Sequence, residues 1–430
     1  MEMMPLVSVA VALFAGLMMT RLFKVLGWNF PDVTAFLIAG LLIGPYGLGR
    51  IAAFGIGFPS YEYIDTLSIL SDAALGFIAF SIGSEFRLKN IREIGKAAFV
   101  IGCFQALAAT LFVDAALIAL HFIVGKEVLP FEVCITLGAI ASATAPAATL
   151  MVVRQYKAKG PVTSLLLPIV ALDDAVGLIV FAVSFGIAQA LKGGELSTVT
   201  VILNPLIEIV CSLILGAVMG FLMAQIEKLF YSNSNRLAMT ISFVFMTIAL
   251  ATMKIRIGEV TVSFSSLLVC MMLGTVFCNV SEFSEDIFTR CDKWTVPLYA
   301  IFFVISGAQL DLGVLGKPVM ILVGIVYILV RSLGKYFGAR ISSSACHCSE
   351  DVRKYLGITL LPQAGVALGM VITAQALGGA EADVIRNVIL FSVLVYELVG
   401  PTMTKDALTK AGEIVPTPKE KQNRERFRRA

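Results

Sequence analysis

Two acidic residues, Asp173 and Asp174, stand side by side within an apolar segment that covers residues 163–191. A charge in a bilayer core costs about 2.5–3.5 kcal/mol on insertion scales, so such residues usually serve a function. Neighbouring carboxylates repel each other when both are ionised, and their titration is therefore coupled. Because a monovalent cation and protons compete for the same carboxylate oxygens, the pair predicts a site where one exchanges for the other. A static ion pair with a basic residue is the alternative interpretation.

Two basic residues, Arg331 and Lys335, lie inside another apolar segment. A lysine at this depth needs a carboxylate partner, for which Asp173 is the candidate, or must snorkel to the membrane edge. Arg331 keeps its charge at ordinary pH. We therefore expect it to bind freed backbone carbonyls or a structural acid such as Glu397. Glu397 itself is predicted to be structural, as that anchor or as a residue at a helix end.

Prolines among small residues interrupt two apolar segments, with Pro146 in one and Pro362, Gln363 and Gly365 in the other. Proline removes a helix hydrogen bond, and unwound backbone at membrane depth is tolerated only where protein buries it or a cavity borders it. A pair of interrupted helices in corresponding halves is typical of a transporter binding site built from inverted repeats. Simple proline kinks are the alternative.

Hydroxyl groups precede the first interruption. Ser142 stands four residues before Pro146, and Thr144 stands two residues before it. Together with backbone carbonyls near the crossing, they are candidate ligands or supporting groups for a cation held by Asp173 and Asp174. A hard monovalent cation such as Na+ prefers oxygen ligands of this kind.

The elements that must position these residues are apolar segments of helical length. The chain is 58% hydrophobic and 15% charged, with a mean hydropathy of +0.89, whereas soluble domains have about 25% charged residues. The sequence predicts an all-α polytopic membrane protein with 13 transmembrane helices. The segments cover residues 4–24, 29–48, 66–86, 94–123, 132–154, 163–191, 197–227, 237–253, 258–280, 294–312, 318–341, 354–377 and 384–404. They form one membrane domain, residues 1–410, followed by a short basic cytosolic tail, residues 411–430.

Basic residues in the connections predict the orientation. They are concentrated on alternate connections and in the tail, which places the C-terminus in the cytoplasm and the N-terminus outside. The basic tail is expected to lie near anionic lipid rather than to bind nucleic acid. Cys346, His347 and Cys348 form one Cys/His cluster without a second ligand pair, so an ordinary connection is favoured over a zinc site.

An enzyme is disfavoured. His121 and His347 are the only histidines, and no nucleophile and base surround them. We expect no cofactor beyond the transported Na+ and protons.

Five motifs in order carry a resemblance to a known family. They are AGLLIGP at 39–45, TAP at 144–146, LDDA at 172–175, LPQ at 361–363 and YELVGP at 396–401. Over residues 1–410 the chain resembles the monovalent cation:proton antiporter superfamily, the sodium/hydrogen exchangers in the broad sense.

The resemblance implies two inverted six-helix repeats, two crossing discontinuous helices, and a core domain that moves like an elevator against a dimerisation domain in a homodimer. It implies that Asp174 binds both cation and proton and that Lys335 pairs with Asp173. An Asp at position 173 is similar to the electrogenic type.

The predicted function is a secondary antiporter in the inner or plasma membrane of a prokaryote, with Na+ favoured and Li+ or K+ open. A K+/H+ antiporter stays open because the later segments resemble potassium-efflux relatives. Those relatives often carry Gln before the Asp and a nucleotide-binding domain, which differ from this sequence. A sodium-coupled organic-anion symporter on a related fold and a passive cation channel also stay open.

Overall fold

A computed structural model describes residues 5–28, 30–51, 57–84, 86–126, 129–191, 204–253, 255–257, 260–262, 264–310, 318–374 and 377–414. Residues 415–430 of the expected basic tail lie outside this range. The helices are α1 (Pro5–Val25), α2 (Asp32–Ile43), α3 (Tyr61–Asp65), α4 (Ser68–Gly83), α5 (Leu88–Val124), α6 (Phe131–Ile140), α7 (Pro146–Tyr156), α8 (Pro161–Leu191), α9 (Asn204–Ile226), α10 (Asn233–Ala251), α11 (Ser266–Val280), α12 (Ser284–Ala308), α13 (Pro318–Ala345), α14 (Glu350–Thr359), α15 (Gly365–Ala374) and α16 (Gly379–Lys410).

The fold is helical, as predicted, apart from short connecting structure. Two 3-10 turns cover Leu48–Ile51 and Glu227–Leu229, and strands β1 (Ile255–Ile257) and β2 (Val260–Val262) pair antiparallel. This pair of strands occupies the start of the segment 258–280, which was predicted to be helical. The prediction is wrong there, because α11 begins only at Ser266. The physical reason is the β-branched alternation in both strands, which favours extended backbone.

Prolines mark two helix starts, because a proline in the first turn loses no helical hydrogen bond. Helix α7 begins at Pro146, and helix α8 begins at Pro161. Two of the predicted segments, 132–154 and 354–377, are each divided into two helices: α6 and α7 in one case, α14 and α15 in the other. Several helices extend beyond their predicted segments: α5 begins at Leu88, α12 begins at Ser284 and α16 ends at Lys410.

Helix length and composition identify a multi-pass membrane protein. Within the described part of the chain, 6 helices are long and apolar enough to cross a bilayer, and they include most of α5, α8 and α13. Shorter apolar helices, such as α2 and α6, accompany them. The exposed side chains of these helices include many large apolar residues, for example Phe14, Leu111 and Leu329, as expected for a lipid-facing surface.

The helices pack in two groups. The first contains α1, α2, α4, α9, α10, α11 and α12, and the second contains α5 to α8 and α13 to α16. Glycine permits the closest approach in the first group: a Cβ at Gly40 would lie 1.9 Å from the Val304 carbonyl oxygen, and one at Gly307 would lie 2.1 Å from that of Leu37. This crossing of α2 and α12 gives a packing reason for the glycine at position 40.

The start of α8 is held by a distant carboxylate. Glu413, just after α16, accepts hydrogen bonds from the backbone N–H of Val162 at 2.6 Å and of Thr163 at 2.8 Å. The first N–H groups of a helix have no partner within it, so an acceptor there stabilises the terminus. The helix that carries Asp173 is therefore fixed at one end to the end of α16.

Candidate ion-binding site

The two interrupted segments cross at their unwound residues. Residues 141–145 separate α6 from α7, and residues 360–364 separate α14 from α15. The Ala145 N–H donates to the Pro362 carbonyl at 2.8 Å, which joins the two breaks directly. Pro146 is the first residue of α7, and α15 begins at Gly365. Pro146 therefore starts a new helix and Pro362 lies within a break between two helices, so neither proline kinks a continuous helix.

Arg331 replaces the helix hydrogen bonds that both breaks lose. Its guanidinium donates to the carbonyls of Ala141 at 3.0 Å, Ala143 at 2.6 Å and Leu361 at 2.7 Å, and the residue is fully buried. An arginine suits this task because its planar group offers five donors. Arg331 thus binds freed backbone carbonyls, which were one of its two predicted partners.

Glu397 occupies neither of the two positions predicted for it, as an anchor for Arg331 or at a helix end. In the described residues Arg331 forms no ion pair with Glu397, and its guanidinium carbon lies 4.6 Å above the ring of Tyr396 instead. Glu397 is buried in the interior of α16, which continues to Lys410, so its assignment to a helix end is wrong. Helix α16 continues past Pro401 because its later turns still bury residues such as Thr404 and Leu408.

A buried ion pair lies beside the crossing. Lys335 Nζ is 2.9 Å from Asp173 Oδ2, and both side chains are fully buried. The same ammonium donates to Thr144 Oγ1 at 2.9 Å and to the Ser142 carbonyl at 2.5 Å. The lysine therefore points inward and does not snorkel. Helix α13 brings it to the first break, and α8 brings Asp173 to the same point.

Both carboxylate oxygens of Asp173 accept hydrogen bonds. Thr144 donates its hydroxyl to Oδ2, the oxygen that also accepts from Lys335. Gln105 of α5 donates its amide to Oδ1. Three hydrogen bonds, one of them from a charged group, therefore hold this carboxylate in place.

Ser142 contributes through its backbone rather than its hydroxyl. Its Oγ donates to the Ala139 carbonyl at 2.6 Å within the same turn, whereas its carbonyl accepts from Lys335. The serine side chain thus satisfies one carbonyl near the end of α6, and the unwound backbone supplies the acceptor at the site.

Gln363 connects the second break to its surroundings. Its amide nitrogen donates to the Ile140 carbonyl at 3.0 Å and lies 3.0 Å from the Tyr327 hydroxyl, while its amide oxygen accepts from Ser392 at 3.1 Å. The residue is fully buried. It therefore fixes the position of one break against the end of α6 and against α13 and α16.

Asp174 follows Asp173 in α8, but its side chain lies outside the described part of the structure. Successive residues of an α-helix are rotated by about 100°. The contacts described above are therefore those of Asp173 alone.

A cavity of about 360 Å³ opens between the two groups of helices. Its walls come from α4, α8, α9, α11 and α15 and include Asp72 and Glu208. Met370, which borders the cavity, also faces Gly177, one turn beyond the acidic pair in α8. The cavity thus approaches the site from the end of the bundle toward which α8 runs.

The opposite end of the bundle, where α7 ends and α8 begins, is closed by polar contacts between the groups. Arg154 of α7 lies 2.7 Å from Asp292 of α12, and Ser81 of α4 donates to the same carboxylate at 3.2 Å. Gln155 accepts from the Asp32 N–H at 2.9 Å. The two groups therefore contact each other at one end and leave space at the other.

Two contacts were not predicted from the sequence: that of Gln105 with Asp173 and that of Arg154 with Asp292. A signal for Gln105 existed, because it is the sole side-chain amide in the apolar segment 94–123. The Cys/His cluster follows α13, where His347 has a left-handed φ of 54° and both cysteines are free. No group of three potential metal-binding side chains occurs among the residues that the structure describes.

Two known proteins that are similar to this chain are both named as Na+/H+ antiporters. The Na+/H+ antiporter NhaS4 of Synechocystis sp. is 23% identical over 408 residues, which cover 93% of this chain and 95% of that protein. The high-affinity Na+/H+ antiporter NhaS3 of the same organism is 24% identical over 376 residues, which cover 85% of this chain and 76% of that one. Both are transporters rather than enzymes.

Solved structures share the fold. The sodium proton antiporter MjNhaP1 of Methanocaldococcus jannaschii at pH 8 superposes with a TM-score of 0.62 and 19% identity, covering 94% of each chain. An electron-microscopy structure of MjNhaP1 gives a TM-score of 0.67 with 17% identity over 97% of this chain. The family description "Sodium/hydrogen exchanger, transmembrane" matches residues 9–410, so the chain belongs to the sodium/hydrogen exchanger family.

Proposed function

We propose that this protein is a secondary antiporter that exchanges a monovalent cation, with Na+ favoured, for protons. The observation that carries the proposal is the fully buried pair of Asp173 and Lys335 at the crossing of two broken helices. A buried ion pair adds little stability relative to apolar packing, so its position next to a second carboxylate favours a functional role. Both Synechocystis relatives are named as Na+/H+ antiporters, which agrees with this proposal.

Each site residue has a proposed role. Asp174 is the main ligand shared by the cation and the proton, and Asp173 contributes charge beside it. Thr144 and the Ser142 carbonyl shape the site from the first break. Asp173 and Lys335 form a second unit that can change its protonation, so more than one proton moves per cation and transport is electrogenic. Pro146, Pro362, Gln363, Gly365 and Arg331 maintain the crossing.

Transport also requires that the site reach both sides of the membrane. The helices of the second group carry the site and move relative to the first group, in an arrangement of two inverted six-helix repeats. Helices of the first group form the contact surface of a homodimer. Basic residues on alternate connections support an N-terminus outside and a cytoplasmic C-terminus in the inner membrane of a prokaryote.

Purified protein in proteoliposomes tests the function. With a pH-sensitive dye inside, an inward Na+ gradient should drive protons outward, and protein-free liposomes should show no such flux. Sodium should support the fastest exchange, with Li+ and K+ tested in parallel. The exchange rate should differ between liposomes whose membrane potential is clamped at zero and liposomes held at an imposed potential.

The alternatives give different results in the same assay. Faster exchange with K+ than with Na+ would identify a K+/H+ antiporter. Cation flux without coupled protons would indicate a channel, and uptake that needs an organic anion would indicate a symporter. An exchange rate that does not respond to the membrane potential would contradict the electrogenic proposal.

A further inference from the structure

Gln105 contacts Asp173 and has no role in the function proposed above. It sits in the interior of α5, fully buried, and its amide nitrogen donates both to Asp173 Oδ1 and to the Gly102 carbonyl, the latter at 3.0 Å. The Gly102 bond stays within one turn of α5. It therefore holds the amide in the orientation in which its other hydrogen reaches Asp173.

The backbone of Gln105 is fixed by the helix that carries Lys335. A Cβ at Gly338 of α13 would lie 2.8 Å from Gln105 Cα, and one at Gly334 would lie 2.8 Å from Ala109 Cα. These two glycines flank Lys335 and let α5 and α13 approach closely. Gln105 and Lys335 are thus held at a set spacing on either side of the Asp173 carboxylate.

The hydrogen bonds of Asp173 leave it little capacity for a further ligand. A carboxylate has two oxygens with about four acceptor positions. Oδ2 accepts from Thr144 and Lys335, and Oδ1 accepts from Gln105. Without Gln105, Oδ1 would have no donor among the described residues and would be free to bind a cation.

The orientation of the amide leaves its own oxygen unsatisfied. Gln105 Oε1 is buried and has no hydrogen-bond partner among the residues that the structure describes. Such a group lowers stability, and a native structure rarely keeps one without reason. Leucine has a similar volume and would avoid the loss, so packing does not explain a glutamine at this position.

We propose that Gln105 is a positioning residue that occupies Oδ1 of Asp173, reserving this carboxylate for Lys335 and Thr144 and withholding it from the transported cation. The proposal rests on the exchange function proposed above. It assigns the cation mainly to Asp174 and makes Gln105 a determinant of how tightly the cation is held. Binding that is too tight slows release, because differences in affinity appear mostly in the dissociation rate.

The test compares wild type with Gln105→Leu in proteoliposomes, with Na+ concentration varied. We expect KM for Na+ to fall by roughly threefold to tenfold, the effect of one freed acceptor, and Vmax to fall with it. The Na+ concentration that gives half of the thermal stabilisation of the purified protein should fall by a similar factor, since a ligand stabilises the state that it binds. Gln105→Asn, a shorter amide, should give intermediate values.

Thr110→Val is the matched control, since the Thr110 hydroxyl donates only within α5, to the Ala106 carbonyl at 3.2 Å. It should leave KM unchanged. An unchanged or raised KM in Gln105→Leu, or in Gln105→Asn if the leucine variant does not fold, would overturn the proposal and leave Gln105 a packing residue. Absence of exchange in the wild type would instead contradict the proposed function itself.

Discussion

At the scale of single residues, the ion pair of Asp173 and Lys335 decides how the site responds to substitution. Both charges are fully buried, so each depends on the other for stabilisation. Removing one partner of a buried pair is strongly destabilising because it leaves the other charge unpaired, whereas replacing both is often neutral.

Lys335→Met should therefore destabilise the protein by about 3–5 kcal/mol. Adding Asp173→Asn to it should recover much of that loss, because no unpaired charge then remains. Denaturant unfolding of these two variants and of Asp173→Asn alone, all in detergent, measures the coupling. Additive effects of the two substitutions would show that the pair does not interact as the 2.9 Å separation indicates.

The residue types at this site were readable from the sequence, but not all of their contacts were. A lysine and two aspartates in apolar segments are conspicuous because burying a charge is costly. The use of the Ser142 carbonyl rather than its hydroxyl depends on how the chain unwinds after α6. Gln105 reaches Asp173 because α5 packs against α8, which no local pattern specifies.

At the scale of elements, the two broken helices are stabilised by a single arginine. Prolines among small residues correctly predicted where the helices stop, because local sequence determines which backbone hydrogen bonds are lost. The group that replaces those bonds came from α13, far along the chain. Its three carbonyl acceptors belong to both breaks, so Arg331 links one to the other.

Arg331→Lys tests whether the site needs the planar shape of the guanidinium in addition to its positive charge. The lysine keeps the positive charge but has one compact ammonium, which cannot span three carbonyls as the planar guanidinium does. We expect a loss of roughly 2–4 kcal/mol in unfolding free energy, from unpaired buried carbonyls, and a large loss of exchange. Arg340→Lys, at an exposed position of the same helix, is the matched control. Equal stability of the two variants would contradict this role of Arg331.

At the scale of the whole molecule, the two groups of helices contact each other at one end and enclose a cavity at the other. Composition was sufficient to identify the membrane class and the helical fold. The cavity and the closed end were not predictable, because they arise from packing between groups that are distant in sequence. In an alternating-access cycle, the contact of Arg154 with Asp292 must break when the site turns toward that end.

Asp292→Asn should shift the population toward conformations in which this end is open. The pair is partly exposed, so we expect an effect of about 0.5–1 kcal/mol, equivalent to a twofold to fivefold change in population. Spin labels at Lys157→Cys and Thr289→Cys, both exposed positions, report the separation of α7 and α12. The variant should increase a longer-distance population, as should high salt in the wild type. An unchanged distance distribution would show that the contact does not hold the closed end.

The most direct test of the central claim is whether Na+ binding displaces protons from the site. Purified wild-type protein in weakly buffered detergent solution should release protons when NaCl is added, and addition of choline chloride should release none. Asp174→Asn should abolish the release, whereas Asp114→Asn, which removes another acid of the apolar segments, should preserve it. Na+ binding without proton release, or an Asp174→Asn variant that releases protons as the wild type does, would contradict a shared cation and proton site in α8.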